Sequence, residues 1–128
     1  MRFTLYSLFF LLVSSTSLAA GSGSTPYFEI QTPFVVNLAG TGSLSFLQVN
    51  AQLKTKNEEV KKYLFMHLPA IQHTMMMILS EQTAADVKTV AGKQELRKKS
   101  LKQIQDLLTE QIGDSAIDDI YFTAFIIQ

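Results

Sequence analysis

From Tyr27 to Leu38 the segment YFEIQTPFVVNL alternates. Phe28, Ile30, Phe34, Val36 and Leu38 fall on one face at every second position, and Glu29, Gln31 and Asn37 fall on the other. That period predicts a half-buried β-strand. Pro33 has no amide hydrogen to donate, so the strand belongs at a sheet edge or bends there. AGTGS (39–43) has the composition of a hairpin loop. LSFLQVNAQLKT follows, with Leu47, Val49, Ala51 and Leu53 inward and Gln48, Asn50, Gln52 and Lys54 outward. The two strands form a predicted antiparallel hairpin.

At Asn57 the period lengthens. Asn57 is suited to cap a helix, and Glu58 and Glu59 in its first turn complement the positive end of the dipole. Pro69 places a break near His67-Leu68, because a helix interior tolerates proline poorly. Leu68, Ile71, Met75, Ile78 and Leu79 then form an apolar stripe at helical spacing. Thr83-Ala84-Ala85-Asp86 has the form of a capping box that opens a short helical piece, which Gly92 is expected to end. KQELRKKSLKQIQDLLTEQI is the clearest helix, burying Leu96, Leu101, Ile104, Leu107, Leu108 and Ile112, with Gly113 as its C-terminal stop.

The last stretch, DDIYFTAFIIQ, alternates in a different way. Ile120, Phe122, Ala124 and Ile126 share one face, and Tyr121, Thr123, Phe125 and Ile127 share the other. Both faces are largely apolar, which predicts a strand inside the sheet and covered on both sides. The order strand, strand, helices, strand gives an α+β domain in which helices pack on a small antiparallel sheet. No internal repeat is present.

Composition narrows the functional classes. The apolar share of 47% and charged share of 17% describe a folded chain of one domain's length. Eleven basic residues balance eleven acidic ones. That balance argues against nucleic acid as a partner, since a phosphate backbone demands clustered Lys and Arg. Lys61-Lys62 and Arg97-Lys98-Lys99 lie among acidic neighbours and have the pattern of solvated helix faces. The chain has no cysteine, which excludes disulfides, thiolate metal sites and thiol nucleophiles together.

Location is carried by MRFTLYSLFFLLVSSTSLAAGSGST. Arg2 and the amino terminus supply a positive start, Phe3 to Val13 an apolar run, and Ser14 to Ala20 small residues. Residues 1–20 therefore have the form of a signal peptide cut after Ala19 or Ala20. The alternative is a short uncleaved anchor that contacts the membrane, although Ser14 to Ser17 dilute it. Residues 21–26 form a flexible connector, and 27–128 form the exported domain.

Candidate chemistry is sparse. His67 and His73 are the only histidines and stand six apart, roughly 240° around a helix. With Met75 and Met77 they compose a conceivable Cu(I) site, because imidazoles and thioethers suit that soft ion. The competing reading has Met75 filling the core and both histidines in solvent, and on it no metal and no cofactor is predicted. Asp118 and Asp119 are adjacent in a strand and point to opposite sides, so they do not make an acid–base pair. No nucleophile elbow occurs, and Gly40 and Gly42 lack the following lysine and helix start of a phosphate loop. No enzymatic activity is predicted.

PFVVNL (33–38), LPAIQHTMMMILSEQTAAD (68–86), GKQEL (92–96) and the terminal DDIYFTAFIIQ, in this order and spacing, resemble the flagellar basal-body-associated protein family FliL. The likeness covers about residues 27–128. It implies a non-catalytic periplasmic domain similar to the stomatin/prohibitin-type fold. It also implies association with the flagellar basal body and with the stator units that generate torque, and homo-oligomeric rings around a stator that support swimming, swarming and chemotaxis. The chain departs from the family pattern in three places. Its N-terminal segment is short and signal-like, only GSGST separates that segment from the domain, and Gln72-His73 stands where a charged pair is usual. The first two departures point to a secreted paralogue that joins the basal body through protein contacts; the alternative, beside the copper module, is a general envelope adaptor of this fold without a flagellar partner. N-terminal sequencing of the exported protein is expected to return Ala20 or Gly21; an intact Met1 would show an anchored chain instead.

Overall fold

The computed structural model describes residues 26–40 and 42–128. The segment 1–20, with its expected cut at Ala19 or Ala20, and most of the 21–26 connector lie outside the described residues.

Five of the ten side chains of strand β3 (Phe46–Thr55) are buried, in strict alternation. Leu47, Val49, Ala51, Leu53 and Thr55 point inward, so the period-two reading of this segment holds residue for residue. Both edges of β3 are paired. On one side lie two short strands, β1 (Tyr27–Glu29) and β2 (Phe34–Asn37), with Phe28 opposite Leu53 and Phe34 opposite Val49. On the other lies the long C-terminal strand β4 (Ile117–Ile127), also antiparallel. The result is a four-stranded antiparallel sheet, and the α+β class is as the sequence predicts.

Three details differ from the predicted arrangement. The first predicted strand is two strands, because the segment around Pro33 leaves the ladder and resumes it at Phe34, still on one edge of β3. Ile30, between them, remains buried and donates its amide to the Ala51 carbonyl at 3.1 Å. Second, β4 is an edge strand and not an interior one, because among the described residues it pairs with β3 alone. Third, among the described residues β4 is covered on one face only. Irregularities opposite Asn50/Ala51 and Lys54/Thr55 shift its phase, so that Ile117, Ile120, Phe122, Phe125 and Ile127 oppose the inward residues of β3. Strict alternation would put Phe122 and Phe125 on opposite faces; the bulge at Thr123 puts them on the same one. Tyr121 and Ile126, at 39% and 42% exposure, remain on the open face.

Helices cover the other face. The helix α1 (Val60–Met66) starts later than predicted, with Glu59 and not Asn57 at its N-cap, so Glu58 and Glu59 lie ahead of its first turn. Asn57 instead braces the turn before the helix by accepting from the Val60 amide at 3.1 Å. His67 separates α1 from α2 (Leu68–Ser80), and Pro69 sits in the first turn of α2, where a missing amide leaves no bond unmade. Ile71, Met75, Ile78 and Leu79 are the buried stripe of α2. Thr83 and Asp86 close a reciprocal capping box on α3 (Ala84–Lys88). The loop after β2 docks on this turn, with the Ala39 amide bonded to the Gln82 carbonyl at 2.8 Å.

The long helix α4 (Val90–Ile112) begins earlier than predicted. Gly92 does not terminate the short helix; it lies in the first turn of α4, and its amide donates to the Thr89 hydroxyl at 3.0 Å. Its role is close approach. A Cβ at Gly92 would stand 1.6 Å from the Asp86 carbonyl oxygen, so α3 and α4 meet at this distance only because position 92 carries a hydrogen. Gly113 ends α4 in the left-handed conformation, as expected.

Alanine in place of glycine ordinarily favours a helix by about 1 kcal/mol. At Gly92 the sign is expected to reverse, because the clash is with backbone. Gly92→Ala should lower the unfolding free energy by about 1–3 kcal/mol, read from the urea midpoint. An unchanged or higher midpoint would show that α3 shifts freely.

Candidate functional site

The most developed surface feature lies where α4 runs beside the outer edge of β4. Lys93 and Arg97 are one helical turn apart and so occupy the same face of α4. They line a groove of about 460 Å³ with Gln94, Asp119, Tyr121, Phe122 and Phe125. Arg97 Nη1 lies 2.6 Å from Asp119 Oδ1, and both side chains are about two-thirds or more buried. The same carboxylate oxygen accepts the Ile120 amide at 2.8 Å. Further along α4, Gln105 Nε2 donates to the Ile117 carbonyl at 2.9 Å. Lys93 Nζ stands 5.0 Å above the centre of the Phe125 ring, a cation–π geometry.

Among the described residues Asp119 is the one carboxylate lining the groove, and it is occupied by a guanidinium and a backbone amide. Its geometry serves positioning, not proton transfer. Two other carboxylates, outside the groove, have lowered pKa values. Asp86 is held below the ordinary value by the Thr83 hydroxyl and then by the Thr83 amide. Asp114 is held down by the Ala116 amide and then by Lys56. Both anchor turns. Asp114 steadies Ala116, a non-glycine residue at a φ of 61° whose carbonyl accepts from the Lys56 amide.

The residues named for a copper site are not drawn together. Met75 is fully buried in the core, whereas His73 and Met77 are exposed on the outside of the same helix. His67 sits half-buried at the junction of α1 and α2. Among the described residues no group of three or more His, Asp or Glu is placed to hold a metal ion. Asp118 is exposed, and Asp119 turns toward Arg97.

Sequence reasoning missed the groove. It treated Arg97-Lys98-Lys99 as one solvated run. That holds for Lys98 and Lys99, which pair with Glu95 and Glu81, but Arg97 is turned onto β4. The usable signal was the four-residue spacing of Lys93 and Arg97 on a helix whose opposite face is apolar. A second surface is made of Phe65 and Met66, 72% and 67% exposed, beside the start of α2. On the uncovered face of the sheet, Tyr27 and Tyr121 meet edge to face at 6.2 Å across β3. No helix among the described residues is long and apolar enough to cross a membrane.

Among the described residues, a small antiparallel sheet with helices on one face and a groove along its edge make an α+β domain. Comparison with known proteins supplies the particular family. The family described as flagellar basal body-associated protein FliL matches residues 27–128. The flagellar protein FliL of Aquifex aeolicus (strain VF5) is 28% identical over 101 residues, covering 79% of this chain and 60% of that protein. The protein of the same name from Escherichia coli (strain K12) is 25% identical over 104 residues, covering 81% of this chain and 66% of its own length. The chain thus spans somewhat under two-thirds of the length of these relatives. It belongs to the FliL family of flagellar accessory proteins.

Both lowered carboxylates give stability that is complete above the unfolded value near 3.8 and is lost as pH falls through the lower folded value. Replacing both, Asp86→Asn with Asp114→Asn, is therefore expected to flatten the acid limb of the unfolding profile between about pH 4 and about pH 2. Urea midpoints measured across that window check this. An acid limb as steep as that of the parent would place the titrating groups elsewhere.

Proposed function

We propose that this protein is a non-enzymatic accessory component of the flagellar motor. In this reading it is exported to the periplasm, assembles as a homo-oligomeric ring, and supports the stator units during swimming and swarming. The observation that carries the reading is the family match, which covers residues 27–128. With Met75 buried in the core and His73 and Met77 exposed, the copper alternative gains no support. The likeness to the stomatin/prohibitin type belongs to the same proposal, and so does the secreted form suggested by the N-terminal segment. Exposed apolar groups such as Phe65 and Met66 are the kind of surface that a ring or a motor partner would cover.

The test is deletion of the gene in its host, with complementation by the full chain. Swimming in soft agar and the speed of tethered cells under viscous load should both fall, and complementation should restore them. Unchanged motility under high load would overturn the proposal.

A further inference from the structure

Because β3 is paired along both edges, the outer edge of β4 is the long strand edge left over. Which of its groups point outward follows from the register. Phe46 and Gln128 exchange both hydrogen bonds, at 2.7 and 2.9 Å. Counting back from Gln128 in an antiparallel pair turns the amide and carbonyl of Ile127 and Phe125 away from β3. From the other end, the Ile117 carbonyl and the Ile120 amide are bonded by Gln105 and Asp119, so they face outward. By the same count, so do the backbone groups of Phe122.

The two halves of this edge are treated differently. In the first half side chains close it. Gln105 takes the Ile117 carbonyl, and Asp119, held by Arg97 at 2.6 Å, takes the Ile120 amide. Covering an edge in this way prevents pairing with another chain. Among the described residues nothing does so for Phe122, Phe125 and Ile127. The bulge at Thr123 bends the strand, leaving Phe125 to Ile127 as an open ladder with Phe122 across the bend. Beside this open half lies the groove, where Lys93 has no carboxylate partner among the described residues.

We propose that the open half of the β4 edge binds an extended acidic segment of another protein by strand addition. The backbone groups of Phe125 and Ile127 would bond the added strand, and its alternate side chains would enter the groove. There an acidic side chain meets Lys93, while an apolar one packs on Phe122 and Phe125. A second copy of this chain fits less well. A two-fold axis through the open stretch would bring Lys93 of both copies to the same place, and like charges repel. The inference is carried by the strand edge and does not rest on the flagellar reading.

The test uses the full chain and two short blocked peptides, one alternating valine with glutamate and one alternating valine with lysine. The glutamate peptide should slow backbone hydrogen exchange at Phe125 and Ile127, and it should bind about tenfold more tightly than the lysine peptide. Lys93→Glu should reverse that preference, with a cooperative unfolding transition showing that the variant is folded. Equal binding of both peptides would overturn the proposal. So would protection absent from Phe125 and Ile127, or protection that appears without peptide as protein concentration rises, the mark of a second copy.

Discussion

The alternation of β3 is the constraint on which the domain depends, because its inward row has neighbours on every side. Leu47 lies between Val36 and Ile127, Val49 between Phe34 and Phe125, and Leu53 between Phe28 and Ile120. Each fully buried aliphatic side chain contributes roughly 1.5–3 kcal/mol, and a slip of one residue would turn the whole row to solvent. The register of β1, β2 and β4 is therefore set by one strand. Thr55, the last residue of the row, also ties down the chain just before β1. Its amide and its hydroxyl both donate to the Pro26 carbonyl, at 2.7 and 3.0 Å.

Helix placement follows from the same row. α2 and α4 lay their stripes on the inward face, and α3 joins them through a contact so close that only Gly92 permits it. α4 then serves two purposes along its length. Ile104 and Leu108 enter the core, while Arg97 and Gln105 reach sideways to close the first half of the β4 edge. Edge protection and core packing are thus carried by one helix. Its residues around Lys93 leave the second half of that edge unpaired.

Much of this was legible because it is local. The inward residues of β3, the stripe of α2, the break at Pro69, the capping box at Thr83 and the stop at Gly113 follow from period, propensity and turn chemistry within a few residues. The errors share another cause. β4 looked like a two-sided interior strand because simple alternation was applied to a segment with two irregularities. Those arise from its pairing with β3, which no local pattern records. Gly92 looked like a stop because its role depends on the Asp86 carbonyl, six residues earlier in the chain and in another helix.

The candidate site was less legible still. Lys93 and Arg97 lie on α4 and Asp119 on β4, and only the packing of α4 against β4 gives them a common groove. By itself the sequence determined the α+β class, most of the elements, the core rows of β3 and α2 and the family likeness, since each rests on short-range periodicity or on ordered motifs. Tertiary structure alone decided which strand is central, which edge stays open and where the charges gather. Those are relations between segments far apart in the chain, set by backbone pairing and close packing rather than by the side chains of any one segment.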